Sequence, residues 1–476
     1  MRNKLLKNYI YNLSYQLLLL IVPIVTIPYV SRTLKAENIG LYNFFYSVVS
    51  YFVLFGCLGL NLYGQREVAF YKDDKFKRSQ IFWELFSIRV VTIIISTICY
   101  WFIIVQNSTG YSTQYAIFTI EILAASLDIS WFFQGVEDFK QQTIRSLIVK
   151  IFGTIAIFIF VKDVGDLNKY IWCHVGMTLF SNILLWPQLR KYVFFVKIRL
   201  FGVLKYFGPV MVMFIPQVAI SVYAQLDKTM IRLFSDYLEV SYYSQAEKIV
   251  KIILTVVTSL GLVMLSRVAT SFSKGNTDAI HEYITKSFKF ISLIAYPCTF
   301  GLMAVSYDIV PWFFGEGFEK VAPCMVFLGP IIIFIGMSNI IGTQYLLPTN
   351  RMKEYTLSVV GGLMINVTLN SILITKFGCV GAAVATVFAE AGVIIIQLFF
   401  VRKEFSVKEL ILSGYKNFIS AAVMGIIVFL IASNLANTLP NTVLEVAIGG
   451  IIYFVILVFV LRDKFLINTL KSFLGK

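Results

Sequence analysis

Residues 379–401 read CVGAAVATVFAEAGVIIIQLFFV, a run in which Glu390 is the single charge. As a helix rising 1.5 Å per residue it would be about 35 Å long, enough to cross the roughly 30 Å hydrocarbon core of a bilayer. Runs of this kind recur from one end of the sequence to the other. Across all 476 residues, 58% are hydrophobic and 14% charged, whereas soluble domains run near 45–50% apolar and about 25% charged. A soluble globule is excluded. About fourteen spans fit, the first near 9–31 and the last near 442–461, and spans of about 22 residues leave only about 11 residues for each connection. No soluble catalytic domain fits in such gaps, and the expected class is an all-α polytopic membrane protein.

The net charge of +15 is read against membrane orientation before it is read as a nucleic-acid signal. With the N-terminus placed inside, 28 of the 41 Lys and Arg fall on the cytosolic side, 7 outside and 6 within spans. That asymmetry is the positive-inside pattern, so both ends are expected in the cytosol and no nucleic-acid partner is expected. The basic excess would also attract anionic lipid headgroups. Arg2, Lys4 and Lys7 precede a stretch too long for a signal peptide, which reads as an uncleaved first span. The six cysteines are scattered without metal-ligand spacing, His174 and His281 are the two histidines, and no phosphate-binding loop is present. No cofactor is therefore expected.

A weak repeat organises the spans. Val22-Pro23-Ile24-Val25 matches Ile215-Pro216-Gln217-Val218, Ile39-Gly40-Leu41-Tyr42 matches Val240-Ser241-Tyr242-Tyr243, and Val68-Ala69 matches Val268-Ala269. The offsets are about six spans, and an even-numbered unit re-enters the membrane in the same orientation, as in the parallel repeats of secondary transporters. The expected organisation is an N-lobe of residues 1–205, a C-lobe of 206–401 and a helix pair of 402–476. Pro23, Pro28, Pro209 and Pro216 would bend the matching first and seventh spans.

Ionisable groups inside a membrane are costly and usually face a bundle interior or a water-filled cavity. Arg89 in span three (80–105) and Asp128 in span four (114–136) lie at similar depth, either as a clamp between helices or as part of a gate. Asp227 and Lys228 end span seven, and Glu247, Lys248 and Lys251 begin span eight across a short external loop. Glu247 and Lys251 are i, i+4 partners; Lys248 points about 100° away around the helix and either faces a cavity or snorkels to the interface. Arg32 ends span one. Asn366 and Asn370 share a face of span eleven, and Glu390 sits mid-way along span twelve. These oxygens either bind a proton or a hard cation, or the asparagines hydrogen-bond between helices. Gly381, Ala382, Ala383 and Ala385 would let helices approach closely.

Six stretches carry a resemblance: Pro28-Tyr29-Val30-Ser31-Arg32, Gly40-Leu41-Tyr42, Gly64-Gln65-Arg66-Glu67-Val68-Ala69, the run from Asp128 through Trp131-Phe132-Phe133-Gln134-Gly135 to Glu137, Leu226-Asp227-Lys228, and Tyr243-Ser244-Gln245-Ala246-Glu247-Lys248-Ile249. By these the chain resembles the Wzx-type polysaccharide or O-unit flippases of the multidrug/oligosaccharidyl-lipid/polysaccharide exporter superfamily. The resemblance implies fourteen spans, two six-helix lobes around a central cavity, and transfer of an undecaprenyl-diphosphate-linked oligosaccharide from the cytosolic to the outer leaflet of a bacterial cytoplasmic membrane. It implies a monomer whose partners are that lipid-linked substrate, membrane lipids and the polysaccharide polymerase machinery.

A diphosphate inside a membrane needs cations, for which Lys248, Arg89, Arg32, Lys251 and Lys228 are the candidates, with Asp128 and Glu247 as gate or helix-pairing acids. Lys248 is similar in position to a cavity arginine of the lipid II flippases. The chain departs from that branch in having no arginine between Arg32 and Arg66. Asp227, Asn366, Asn370 and Thr386 look like that branch's sodium site, made less negative here by two asparagines, and Glu390 is the alternative proton carrier, so Na+ or H+ would be the coupling ion. Two other classes stay open at this point. A membrane polymerase or ligase would need a large external loop, and a multidrug/cation antiporter would be expected to carry an acid in span one, where residues 9–31 have none.

Overall fold

The structure, a computed structural model, describes residues 2–197, 203–259 and 261–467, without the side chains of residues 2–20, 139–141, 216, 262–263 and 411. The side chains of Arg2, Lys4 and Lys7 and the segment 468–476 thus lie outside the described residues. Among the described residues every regular element is a helix. In chain order they are α1 (Arg2–Cys57), α2 (Leu60–Phe70), α3 (Lys75–Tyr100), α4 (Ser112–Ser126), α5 (Ser130–Gly135), α6 (Phe139–Phe160), α7 (Leu167–Ile183) and α8 (Trp186–Leu189). Then follow α9 (Phe207–Phe234), α10 (Tyr237–Thr258), α11 (Gly261–Ser273), α12 (Thr277–Phe314), α13 (Val321–Leu328), α14 (Ile331–Ser338), α15 (Met352–Val401), α16 (Val407–Leu412), α17 (Tyr415–Ala432) and α18 (Leu439–Val455).

Among the described residues nine helical stretches are long and apolar enough to cross a membrane, and α9 joins them as a pair of segments bent by 43° around residue 216. Two of the nine are hairpins: α1 reverses at Lys35 (φ 64°) and α15 at Gly378 (φ 58°). Each hairpin contributes one further span. The α7–α8 and α10–α11 stretches are more polar or shorter and fall outside that set. The protein is therefore an all-α, multi-pass membrane protein.

Span four is not the continuous helix expected over 114–136. It ends at Ser126 and restarts at Ser130. Asp128 explains the break: its Oδ1 accepts the Ser130 N–H at 2.9 Å, so a short acidic side chain satisfies the backbone locally in place of a helical carbonyl.

By its internal contacts the chain divides into Met1–Thr229 and Met230–Lys476, with the boundary inside α9. The first unit has an aromatic core in which Phe82 stacks on Trp131 with ring centroids 5.7 Å apart, joined by Phe132, Phe133, Tyr63 and Tyr206. Gly64 lies flat against the Trp131 ring and Gly135 against the Gln65 carbonyl and Val68, so a Cβ at either would collide. Two of the resemblance motifs, around Gly64 and around Trp131, are thus one packing unit.

In the second unit α17 lies along α12, where Gly425 meets the Phe300 backbone and Asn417 donates to Ser292 Oγ at 2.9 Å. The small residues of α15 act as their size suggests. Gly381, Ala382, Ala383 and Ala385 are buried, and Gly381 abuts the Leu373 carbonyl across the hairpin. Close approach of this kind is how membrane helices gain packing without a hydrophobic driving force.

Candidate functional site

Arg89, in the middle of α3, is 1% exposed. Its Nε donates to the Ala125 carbonyl at 2.9 Å, one Nη to Asn61 Oδ1 at 2.9 Å and the other to Cys57 Sγ at 3.2 Å. Asp128 Oδ2 stands 3.9 Å away, in ion-pair range yet outside hydrogen-bond range. Arg89 and Asp128 are thus brought together, but the guanidinium spends its donors on α1, α2 and the end of α4. These bonds tie α3 to α1, α2 and the end of α4 beside the break in span four.

At the end of the first arm of α1, Arg32 is exposed and lines a recess of about 590 Å³ with Tyr29, Thr33, Lys162, Asp163 and Val164. The neighbouring loop is stiffened by Asp166, which accepts from the Lys169 ammonium at 2.7 Å and from the Lys162 and Asp163 N–H groups. The Lys169 hydrogen bond, with those two amides, pushes the Asp166 carboxyl down to about 2. Farther along the chain Asp227 and Lys228 are both buried near the end of α9, and Lys228 donates to Gln225 Oε1 at 3.3 Å. The next residue, Thr229, shares hydrogen bonds with Tyr51 at 3.0 Å and Ser47 at 3.2 Å.

In the second unit Glu247 and Lys251 pair at 2.5 Å along α10. Lys248 is half-buried and Lys251 exposed. Four other candidates are ordered by the Gly378 hairpin. Asn370 and Thr386 each lie eight residues from Gly378, and Asn366 and Glu390 each lie twelve. The antiparallel arms therefore hold the first pair level at about 12 Å from the turn and the second at about 18 Å. All four are buried. Asn370 donates to Asn366 Oδ1 at 2.9 Å and reaches Met230 Sδ at 3.7 Å, while Thr386 Oγ1 donates to the Ala382 carbonyl at 2.8 Å and meets the Tyr243 hydroxyl at 3.1 Å. Amide and hydroxyl oxygens of this kind are hard donors that suit a small cation or proton relay. Among the described residues no group of three or more His, Cys, Asp or Glu side chains is placed to hold a metal.

Glu239, absent from the sequence-based candidates, fastens this hairpin. Its Oε2 accepts the Cys379 N–H at 2.7 Å, and its Oε1 the Lys320 ammonium at 2.5 Å. The Glu239 hydrogen bond raises Lys320 above its ordinary value. A Cβ at residue 378 would strike the Glu239 carboxylate, so glycine is needed there both for its positive φ and for space. The sequence did hold a signal, Asp236 three residues ahead, whose Oδ1 accepts the Glu239 N–H at 2.9 Å. It marks a helix start and says nothing of where the Glu239 side chain goes.

A putative O-antigen transporter of Escherichia coli strain K12 is 24% identical over 386 residues, which cover 80% of this chain and 93% of the relative. The lipid II flippase MurJ of Bacillus subtilis is 22% identical over 222 residues, 44% of this chain and 41% of that one. In fold the chain is similar to a lipid II flippase MurJ in an inward closed conformation, with a TM-score of 0.76 at 16% identity over 96% of this chain and 98% of that one. It is also similar to an inward-facing multidrug resistance MATE family transporter, with a TM-score of 0.64 at 12% identity over 83% and 96%. The model of the polysaccharide biosynthesis protein family matches residues 5–269, more than half of the sequence. With that match, the chain belongs to the polysaccharide biosynthesis protein family.

Proposed function

We propose that this protein moves a polyprenyl-diphosphate-linked oligosaccharide, in bacteria the undecaprenyl form, from the cytosolic to the outer leaflet of the cytoplasmic membrane for surface polysaccharide assembly. One observation carries the reading: the family match over residues 5–269 contains every cation of the headgroup set, Arg32, Arg89, Lys228, Lys248 and Lys251. A diphosphate is a compact double acceptor that Lys and Arg stabilise by charge-assisted hydrogen bonds. In this reading Lys228, Lys248, Lys251 and Arg32 meet the headgroup, and Arg89 holds span four in place beside Asp128. Both termini face the cytosol, the lobes are residues 1–205 and 206–401, and 402–476 form an accessory pair. The protein works as a monomer that delivers its product to the polymerase machinery.

One-way movement of a charged headgroup needs a free-energy source, and an ion gradient acting by alternating access supplies it. Asp227, Asn366, Asn370 and Thr386 are the sodium-type candidates and Glu390 the proton-type one. Asp227→Asn or Glu390→Gln is expected to uncouple flipping from an imposed sodium or proton gradient while leaving the protein folded. Full gradient dependence in both variants would remove this ion set. The transport reading itself is tested by reconstitution with a defined polyprenyl-diphosphate sugar and, in parallel, with a lipophilic drug cation. Movement of the drug without the lipid-linked sugar would assign the chain to the antiporter class instead.

A further inference from the structure

Glu121 and His174 lie outside every group considered so far. Glu121 is nine residues into α4 and His174 seven residues into α7, so both sit about 10–14 Å from the same end of their spans. His174 Nδ1 stands 3.8 Å from Glu121 Oε2, with side-chain exposures of 30% and 12%. Among the described residues His174 is the one basic side chain within ion-pair range of Glu121. The imidazole is held by two tyrosines of the second arm of α1, Tyr42 with ring centroids 5.6 Å apart and Tyr46 at 5.3 Å, both edge to face. Tyr170 packs against Tyr42 at 4.7 Å, and Thr178, one turn after His174, donates to the His174 carbonyl at 3.3 Å.

The titratable groups facing the pair are thus Tyr42, Tyr46 and Tyr170, with Cys173 beside Tyr170. Phenols and thiols ordinarily keep their protons at neutral pH. Of the groups named here, Glu121 and His174 are the ones whose charge changes around neutral pH. With no exchangeable proton the pair carries −1; with one it is neutral, as carboxylate and imidazolium or as acid and imidazole; with two it carries +1. Burial penalises net charge, so the one-proton form is favoured and the two groups titrate as a unit.

We propose that Glu121 and His174 form a one-proton binding site inside the first unit, built from residues other than the candidate ion set. The use of that proton in coupling rests on the transport reading above; its binding does not. Because the chain has two histidines, nitrogen NMR of the full-length protein labelled with 15N-histidine, in lipid bilayers, gives two ring systems. His174→Gln identifies which belongs to residue 174.

Between pH 5 and 8 the ratio of doubly to singly protonated His174 is expected to fall about tenfold in Glu121→Gln, since an opposite charge at this range is worth about one unit or more. The His281 ratio stays unchanged. Glu121→Asp keeps the charge and should give a ratio between those of the wild type and Glu121→Gln, which holds the test open if the glutamine variant folds poorly. A His174 ratio unaltered within twofold in both variants overturns the proposal. A wild type that moves no lipid-linked sugar while its His174 ring keeps this dependence on Glu121 supports the proton site and counts against the transport reading instead.

Discussion

Lys248 is the residue on which the headgroup chemistry leans most. It is half-buried on α10, one position past Glu247, whose carboxylate is engaged by Lys251. A half-buried ammonium of this kind can stabilise a diphosphate by charge-assisted hydrogen bonds. Lys248→Ala is therefore expected to slow translocation at least about tenfold, the loss of one charge-assisted contact worth about 1.5 kcal/mol or more. Lys248→Arg should retain most of the rate at matched expression. Equal rates for alanine and wild type would place Lys248 at the lipid interface as a snorkelling side chain. Arg89 makes the opposite case. Its depth and its alignment with Asp128 are readable from residue numbers, but the three hydrogen bonds that turn it inward come from residues 28 to 36 positions away, and no local pattern encodes them.

At the scale of elements, the spans were readable because each has to bury its own backbone hydrogen bonds in an apolar run. Their interruptions were not. Span four breaks at Asp128, where one Asx-type hydrogen bond outcompetes a helical one, and the candidate span boundaries on either side gave no warning of it. The Gly378 hairpin is the clearest element-scale device, since it sets Asn370 level with Thr386 and Asn366 level with Glu390. Its backbone lies at φ 58°, ψ −131°, a region that side chains rarely enter, at a cost of about 1–3 kcal/mol. Gly378→Ala also displaces the Glu239 carboxylate from the Cys379 N–H. The variant is expected to lose about 2 kcal/mol or more of stability, measured by thermal unfolding in detergent, and a change under about 0.5 kcal/mol would show that the turn does not depend on glycine. The Glu121 and His174 pair shows the same limit of sequence reading. The two lie 53 positions apart, each within an ordinary apolar span, and only the packing of α4 on α7 brings them together.

For the whole molecule, the charge asymmetry fixes an expectation that is independent of any side-chain contact. With 28 of 41 basic residues on one side, reporters fused after Lys75 or Lys408 should be cytosolic, and those after Asn107 or Asn441 external. The reverse pattern would invert the direction of transport. The apolar helices found among the described residues agree with the all-α polytopic class read from composition, and the family match covers the half of the sequence that carries all six resemblance motifs. Transport of the lipid-linked sugar is the decisive property. Purified protein reconstituted in liposomes with a polyprenyl-diphosphate oligosaccharide confined to one leaflet should expose that sugar to an impermeant glycosidase or lectin far faster than protein-free liposomes do, and the Lys248→Ala variant should lag behind. Exposure no faster than in protein-free liposomes, with the protein folded and correctly oriented, would contradict the transport reading.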